Sequence, residues 1–168
     1  MKNLYLVLLS LVTLYPSYAH ADSINLRVNP FSVVAGGISG GVDVGISDHL
    51  SLDLDGGYTN DTSIITGIKG RAITGGARLT YYSDSMKDDS FTTAIGVSRA
   101  HIELRNKDNE KQIAKVTSGD VKAGYRWVWD SGFNTSFSGG IAQVNASSNN
   151  VKIRGLVPVA ELSVGYQI

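Results

Sequence analysis

Between residues 50 and 58 the chain reads Leu-Ser-Leu-Asp-Leu-Asp-Gly-Gly-Tyr. Helix faces repeat about every 3.6 residues, so no helix gathers these leucines on one side and the carboxylates on the other; an extended strand does. The pattern recurs along the chain. Ile24, Leu26 and Val28 alternate with Asn25, Arg27 and Asn29, and Val42, Val44 and Ile46 alternate with Asp43 and Gly45. Ile73 to Tyr81 alternate with Thr74 to Tyr82, and Val121, Ala123, Tyr125, Trp127 and Trp129 with Lys122, Gly124, Arg126 and Val128. Phe133, Thr135, Phe137, Gly139 and Ile141 mark another strand, and Ala160, Leu162, Val164, Tyr166 and Ile168 face away from Glu161, Ser163, Gly165 and Gln167. With the stretch from Phe91 the count is eight strands, an all-β chain in up-and-down antiparallel order. Two irregularities are expected as bulges: after Pro30, where Phe31, Val33 and Ala35 change phase, and near Ser98-Arg99, where Ala100, Ile102 and Leu104 do. Gly36 to Gly41 reads as a tight turn.

The amino terminus has a different character. Met1-Lys2, a run containing Leu4, Leu6, Val7, Leu8, Leu9, Leu11, Val12 and Leu14, then Pro16 and Ala19-His20-Ala21 describe a cleaved secretory signal peptide over residues 1–21. Residues 22–168 are then one mature domain. It carries no cysteine, hence neither disulfides nor a lipoprotein anchor. Of fifteen basic residues Lys2 leaves with the signal peptide, so fourteen face fifteen acidic ones, a formal charge of −1. That balance argues against nucleic acid as a partner.

Eight antiparallel strands close into a barrel in water or in lipid, and the two differ in which face is apolar. Three features favour the transmembrane form. Arg27, Arg78, Lys122 and Arg126 balance Asp43, Asp53, Asp55 and Glu161 on the polar faces, as a narrow lumen requires. Tyr81, Phe91, Trp127, Trp129, Phe133 and Tyr166 gather beside one set of turns, an aromatic girdle expected on the periplasmic side. The apolar faces are about five residues long, the span of a tilted transmembrane strand of roughly 9–11 residues. An amphipathic final strand running to the chain end, with an aromatic near its terminus, resembles bacterial outer-membrane β-barrels; that family usually ends in Phe, where this chain has Ile168 and an aromatic at Tyr166. The whole mature chain is similar to the small barrels of the OmpA, OmpX and OmpW type. The resemblance implies both termini in the periplasm, a monomer set in outer-membrane lipid, and recognition of the last strand by the barrel assembly machinery.

Chemistry is sparse. His49 sits in a turn beside Asp48; His101 and Glu103, with Ser98 near them, are the one set able to place a base and an orienting carboxylate. In residues 22–168 two isolated histidines and no cysteine leave no metal site expected, and no cofactor is expected. The expected function is a structural or surface-interaction barrel with an ion-paired interior and no open pore, displaying loops 59–70, 105–116 and 145–151. Two other readings are a lipid-modifying hydrolase at the rim and a soluble periplasmic barrel holding an apolar ligand. Closure of the last strand on the first is expected to pair Glu161 with Arg27.

Overall fold

The structure, a computed structural model, describes residues 23–34, 36–60, 69–105, 111–148 and 151–168. The expected signal peptide lies outside these residues. Eight strands, β1 (Ile24–Val28), β2 (Gly37–Ser47), β3 (Leu50–Thr59), β4 (Lys69–Tyr82), β5 (Ser90–Arg105), β6 (Lys111–Val128), β7 (Phe133–Ser148) and β8 (Val151–Gln167), form a closed barrel in sequential order. Every pairing is antiparallel, including closure of β8 on β1 through Asn25↔Gln167 to Val28↔Val164.

The faces are inverted relative to a soluble domain. Outward-pointing Ile95 and Ile141 are 61% and 59% exposed, whereas inward-pointing Asn25, Asp43 and Ser51 are 0%, 2% and 0% exposed. Burying polar groups while apolar ones face out is costly in water, so the outward face requires an apolar surrounding.

Strand length is uneven. β1 has 5 residues and β3 has 10, but β5, β6, β7 and β8 have 16, 18, 16 and 17. A tilted strand crosses a bilayer in about 9–11 residues, so the β5–β6 and β7–β8 hairpins stand above the rest of the wall. Residues expected in the loops 105–116 and 145–151 therefore belong largely to strands. Of the third expected loop, residues 61–68 lie outside the described residues.

Three local expectations need correction. After β1 the chain makes a short helix, α1 (Pro30–Val34), instead of a bulge. The residues ask for it: Asn29 Oδ1 accepts from Phe31 N at 2.9 Å as an N-cap, and Pro30 occupies the first helical position, where its missing N–H costs nothing. Gly36, at φ 75°, ends the helix and donates to Val33 O at 3.0 Å. The glycines from Gly37 to Gly41 then lie in β2, not in a turn. A Cβ on Gly41 would sit 2.6 Å from Leu54 O and 3.3 Å from Arg27 Nη2, so glycine here makes room for a guanidinium inside the barrel.

β5 has no bulge. Its register runs unbroken from Phe91↔Tyr125 to Leu104↔Gln112 on one side and from Tyr82↔Thr92 to Lys69↔Arg105 on the other. The change of phase at Ala100 and Ile102 is therefore a change in what faces inward. A register shift does occur in β2, between Gly45 and Ser47, where none was expected.

Candidate functional site in the barrel lumen

Strand parity aims Arg27, Asp43, Asp55, Arg78, Asp120, Lys122 and Glu161 into the lumen, where they meet as one ionic cluster. Arg27 is its hub: Nε lies 2.6 Å from Asp43 Oδ1, Nη2 2.8 Å from Asp55 Oδ1, and Nη1 3.1 Å from Glu161 Oε1. Glu161 is the second hub, accepting also from Arg78 Nη2 at 3.0 Å and Lys122 Nζ at 2.6 Å. Arg78 reaches Asp55 at 3.4 Å, and Lys122 lies 3.6 Å from Asp120. Each hub holds three opposite charges, so the cluster ties β1, β2, β3, β4, β6 and β8 across the lumen. An eight-stranded interior is little wider than its side chains, and these span it at this level.

Two residues expected in this network stand apart from it. Asp53 is the register partner of Arg78, yet it accepts from Ser51 Oγ at 2.5 Å and Thr80 Oγ1 at 2.6 Å, because Arg78 reaches up to Asp55 and Glu161 instead. Arg126 has no carboxylate within ion-pair distance among the described residues. Its Nη2 donates to Gln167 Oε1 at 3.0 Å, its Nη1 lies 3.5 Å from Tyr82 Oη, and its guanidinium lies 5.7 Å from the Tyr82 ring centroid.

Below the ionic cluster, toward the chain termini, lies a neutral layer that no sequence expectation included. Asn25 Nδ2 donates to Asp43 Oδ2 at 2.8 Å, and Asn134 Nδ2 donates to Asn25 Oδ1 at 2.7 Å, linking β7, β1 and β2 across the closure. The turn between β4 and β5 folds beneath this layer. Met86, 1% exposed, takes a contact from Ser23 Oγ at 3.1 Å, and its N donates to Asp48 O at 2.8 Å. Asn25 and Asp120 share strand faces with Arg27 and Lys122, and that parity was the available signal; nothing local marks Met86.

The six expected girdle residues Tyr81, Phe91, Trp127, Trp129, Phe133 and Tyr166 all point outward at the terminal end of the barrel. Phe133 and Tyr166 are register partners, and Trp129 lies 5.2 Å from Phe133. Tyr125 joins the row, 4.9 Å from Phe91 and 5.0 Å from Trp127 between ring centroids. These geometries are edge-on or tilted, as ring quadrupoles prefer.

His101 and Glu103 do lie together, with Nε2 and Oε1 4.0 Å apart, on the outward face of β5. Ser98 has the other parity and bonds Ser118 Oγ inside the barrel at 2.7 Å. A serine, a base and an acid are therefore not assembled here. Among the described residues no three His, Cys, Asp or Glu side chains form a metal-holding group. Among the described residues no helix is long and apolar enough to cross a membrane.

A closed ring of eight up-and-down strands around a polar interior crossed by ion pairs defines an eight-stranded β-barrel protein. The fold is shared with the N-terminal β-barrel domain of Pseudomonas aeruginosa OprF, at a TM-score of 0.59 and 16% identity, covering 87% of this chain and 96% of that one. The chain belongs to the family described as "Protein of unknown function (DUF3575)", which matches residues 4–157. No curated protein matches it.

Proposed function

We propose that the chain is an integral outer-membrane β-barrel whose role is structural or surface-interacting: a closed, ion-paired cylinder that carries two tall hairpins into the medium. The observation that carries this reading is the belt of exposed apolar side chains around a polar interior, since only a hydrocarbon surrounding stabilises that inversion. The aromatic row at the terminal end supports an interfacial girdle on the periplasmic side, with both termini there and the β5–β6 and β7–β8 hairpins outside the cell. The ionic cluster supports a lumen without a continuous open path, and closure of β8 on β1 at the terminal end is in keeping with a monomer. Assembly through the barrel assembly machinery, with the β8 end as its signal, follows from the outer-membrane reading.

Three measurements test it. Mature protein extracted in mild detergent should migrate differently on SDS gels before and after boiling, and should float with lipid vesicles in a density gradient. Recovery in the soluble periplasmic fraction without a heat-dependent shift overturns the reading. A protease-sensitive tag placed at residues 106–110 should be cut on intact cells, and protection of that tag would reverse the orientation.

A further inference from the structure

The unbroken register of β5 has a chemical result above the ionic cluster. Thr74↔Ala100, Ala100↔Val116, Val116↔Ala146 and Ala146↔Ile153 are successive register pairs. Cross-strand partners share a face, and this row has the same parity as Arg78 and Lys122, so its side chains point inward. Val144 and Val157 point inward between this row and the cluster, by the same parity. On the outside at this level stand Arg99, His101, Lys115, Asn145 and Lys152, all exposed. Above the belt, therefore, the two tall hairpins invert a second time, polar outward and apolar inward, while β4 keeps Ile73 outward beside His101. Polar groups suit the outer face where the wall leaves the membrane, but the inner apolar wall is then left facing the lumen, with Ile153 63% and Val157 41% exposed.

The floor of this space is a cavity of about 280 Å³ lined by the cluster and by Ser98, Ser118, Ala142 and Val159. Its charged residues are Arg27, Arg78 and Lys122 against Asp55, Asp120 and Glu161, three of each sign. Two buried polar atoms there lack a hydrogen bond, the donor Arg78 Nε and the acceptor Asp120 Oδ2. The wall beside the cavity is also incomplete. β1 pairs with β8 only up to Val28↔Val164, while β8 continues to Val151, so from Ser163 upward that edge has no strand partner among the described residues. Pro158 lies in this stretch, as proline does at sheet edges. α1 occupies the gap, and its Phe31, Val33 and Val34 are 61%, 67% and 87% exposed, which continues the outer apolar surface toward the inner one.

We infer that the space above the ionic cluster is a binding site for a single-chain amphiphile, with its hydrocarbon chain against the Val116, Ala146, Ile153 and Val157 wall and an uncharged, hydrogen-bonding head on the cavity floor. The balanced floor disfavours a charged head, because any added charge there would be buried without a partner. The inner wall supplies the apolar contact, and the unpaired upper edge of β8 beside α1 supplies a route from the surrounding lipid. This inference rests on the outer-membrane reading.

The test uses the mature protein in phosphatidylcholine vesicles with doxyl-labelled methyl stearate as probe and doxyl-labelled stearate as its anionic counterpart. Wild-type protein should show a motionally immobilised spectral component with the ester, and a smaller one with the anion at a pH where it is ionised. Ile153→Asp and Val157→Asp should each abolish that component; both alter positions already open to solvent, so folding is checked by the heat-dependent gel shift. Lys152→Asp, one residue away on the outer face, should leave it intact. The inference is overturned by vesicle flotation with no immobilised component, by equal loss in Lys152→Asp, or by a stronger signal with the anion. Failure to float would instead remove the outer-membrane reading itself.

Discussion

Replacing Glu161 by Gln tests the ionic cluster directly. The change keeps the side chain's shape and removes one negative charge from among three cations, at 3.1, 3.0 and 2.6 Å. Arg27 retains Asp43 and Asp55, and Arg78 retains Asp55 at 3.4 Å, but Lys122 is left with only Asp120, 3.6 Å away. Its side chain is 10% exposed, so water replaces the lost carboxylate poorly. Stripping one partner from a buried ion pair costs about 3–5 kcal/mol. The 18% exposure of Glu161 lets water offset part of this, bringing the cost just below that range, to about 2–3 kcal/mol. Guanidinium slopes for small proteins are about 2–6 kcal/mol per molar, so the unfolding midpoint in vesicles should fall by roughly 0.3–1.5 M, read by tryptophan fluorescence. Adding Lys122→Met to Glu161→Gln removes the stranded cation and should recover part of the loss, with a coupling of about 0.5–3 kcal/mol. An unchanged midpoint in the single variant, or strict additivity in the double, refutes the argument that this carboxylate holds the lumen together.

The neutral layer should respond to Asn25→Ala, which strips hydrogen bonds from Asp43 and Asn134; the expected cost is about 1–3 kcal/mol by the same titration, and a loss below about 0.5 kcal/mol would count against it. Ile141→Arg places a charge on the belt and should cost about 2–4 kcal/mol in vesicles, whereas Lys152→Glu on the protruding hairpin should be nearly neutral; equal effects would put the belt in the wrong place. Gly140→Ala would drive its Cβ into the Val121 carbonyl and to 2.8 Å from Lys122 Cα, while nothing lies within 4 Å of a Cβ at Gly155. The first should lower the yield of the heat-resistant barrel on refolding and the second should not.

How much of this was legible beforehand follows from what alternation can encode. Because the side-chain period of a strand is two, the chain alone set which residues share a face, and it placed Arg27, Arg78, Lys122 and Glu161 together with their carboxylates on the polar one. Periodicity carries no height, however. In a closed barrel the hydrogen-bonded rows climb as they pass around the wall, so Arg78 reaches Glu161 and Asp55 while its register partner Asp53 is held by two hydroxyls. For the same reason Arg126, on the correct face, stands too far toward the terminal end to join the cluster, and finds Tyr82 and Gln167.

The phase change in β5 shows the limit most clearly. A run that turns from Ile95 and Val97 to Ala100 and Ile102 is equally well written by a bulge, which keeps apolar residues outward, or by an unbroken strand that leaves the apolar layer and turns them in. The residues are the same in both cases. What decides is pairing: β4 and β6 both accept β5 without a slip, so the strand stays straight and the environment changes instead. Strand number, strand faces and the charges available to the lumen were thus written in the sequence as local periodicity. Cluster membership, the height of the hairpins and the second inversion of the wall came only with closure of the ring, which sets every strand's position against all the others.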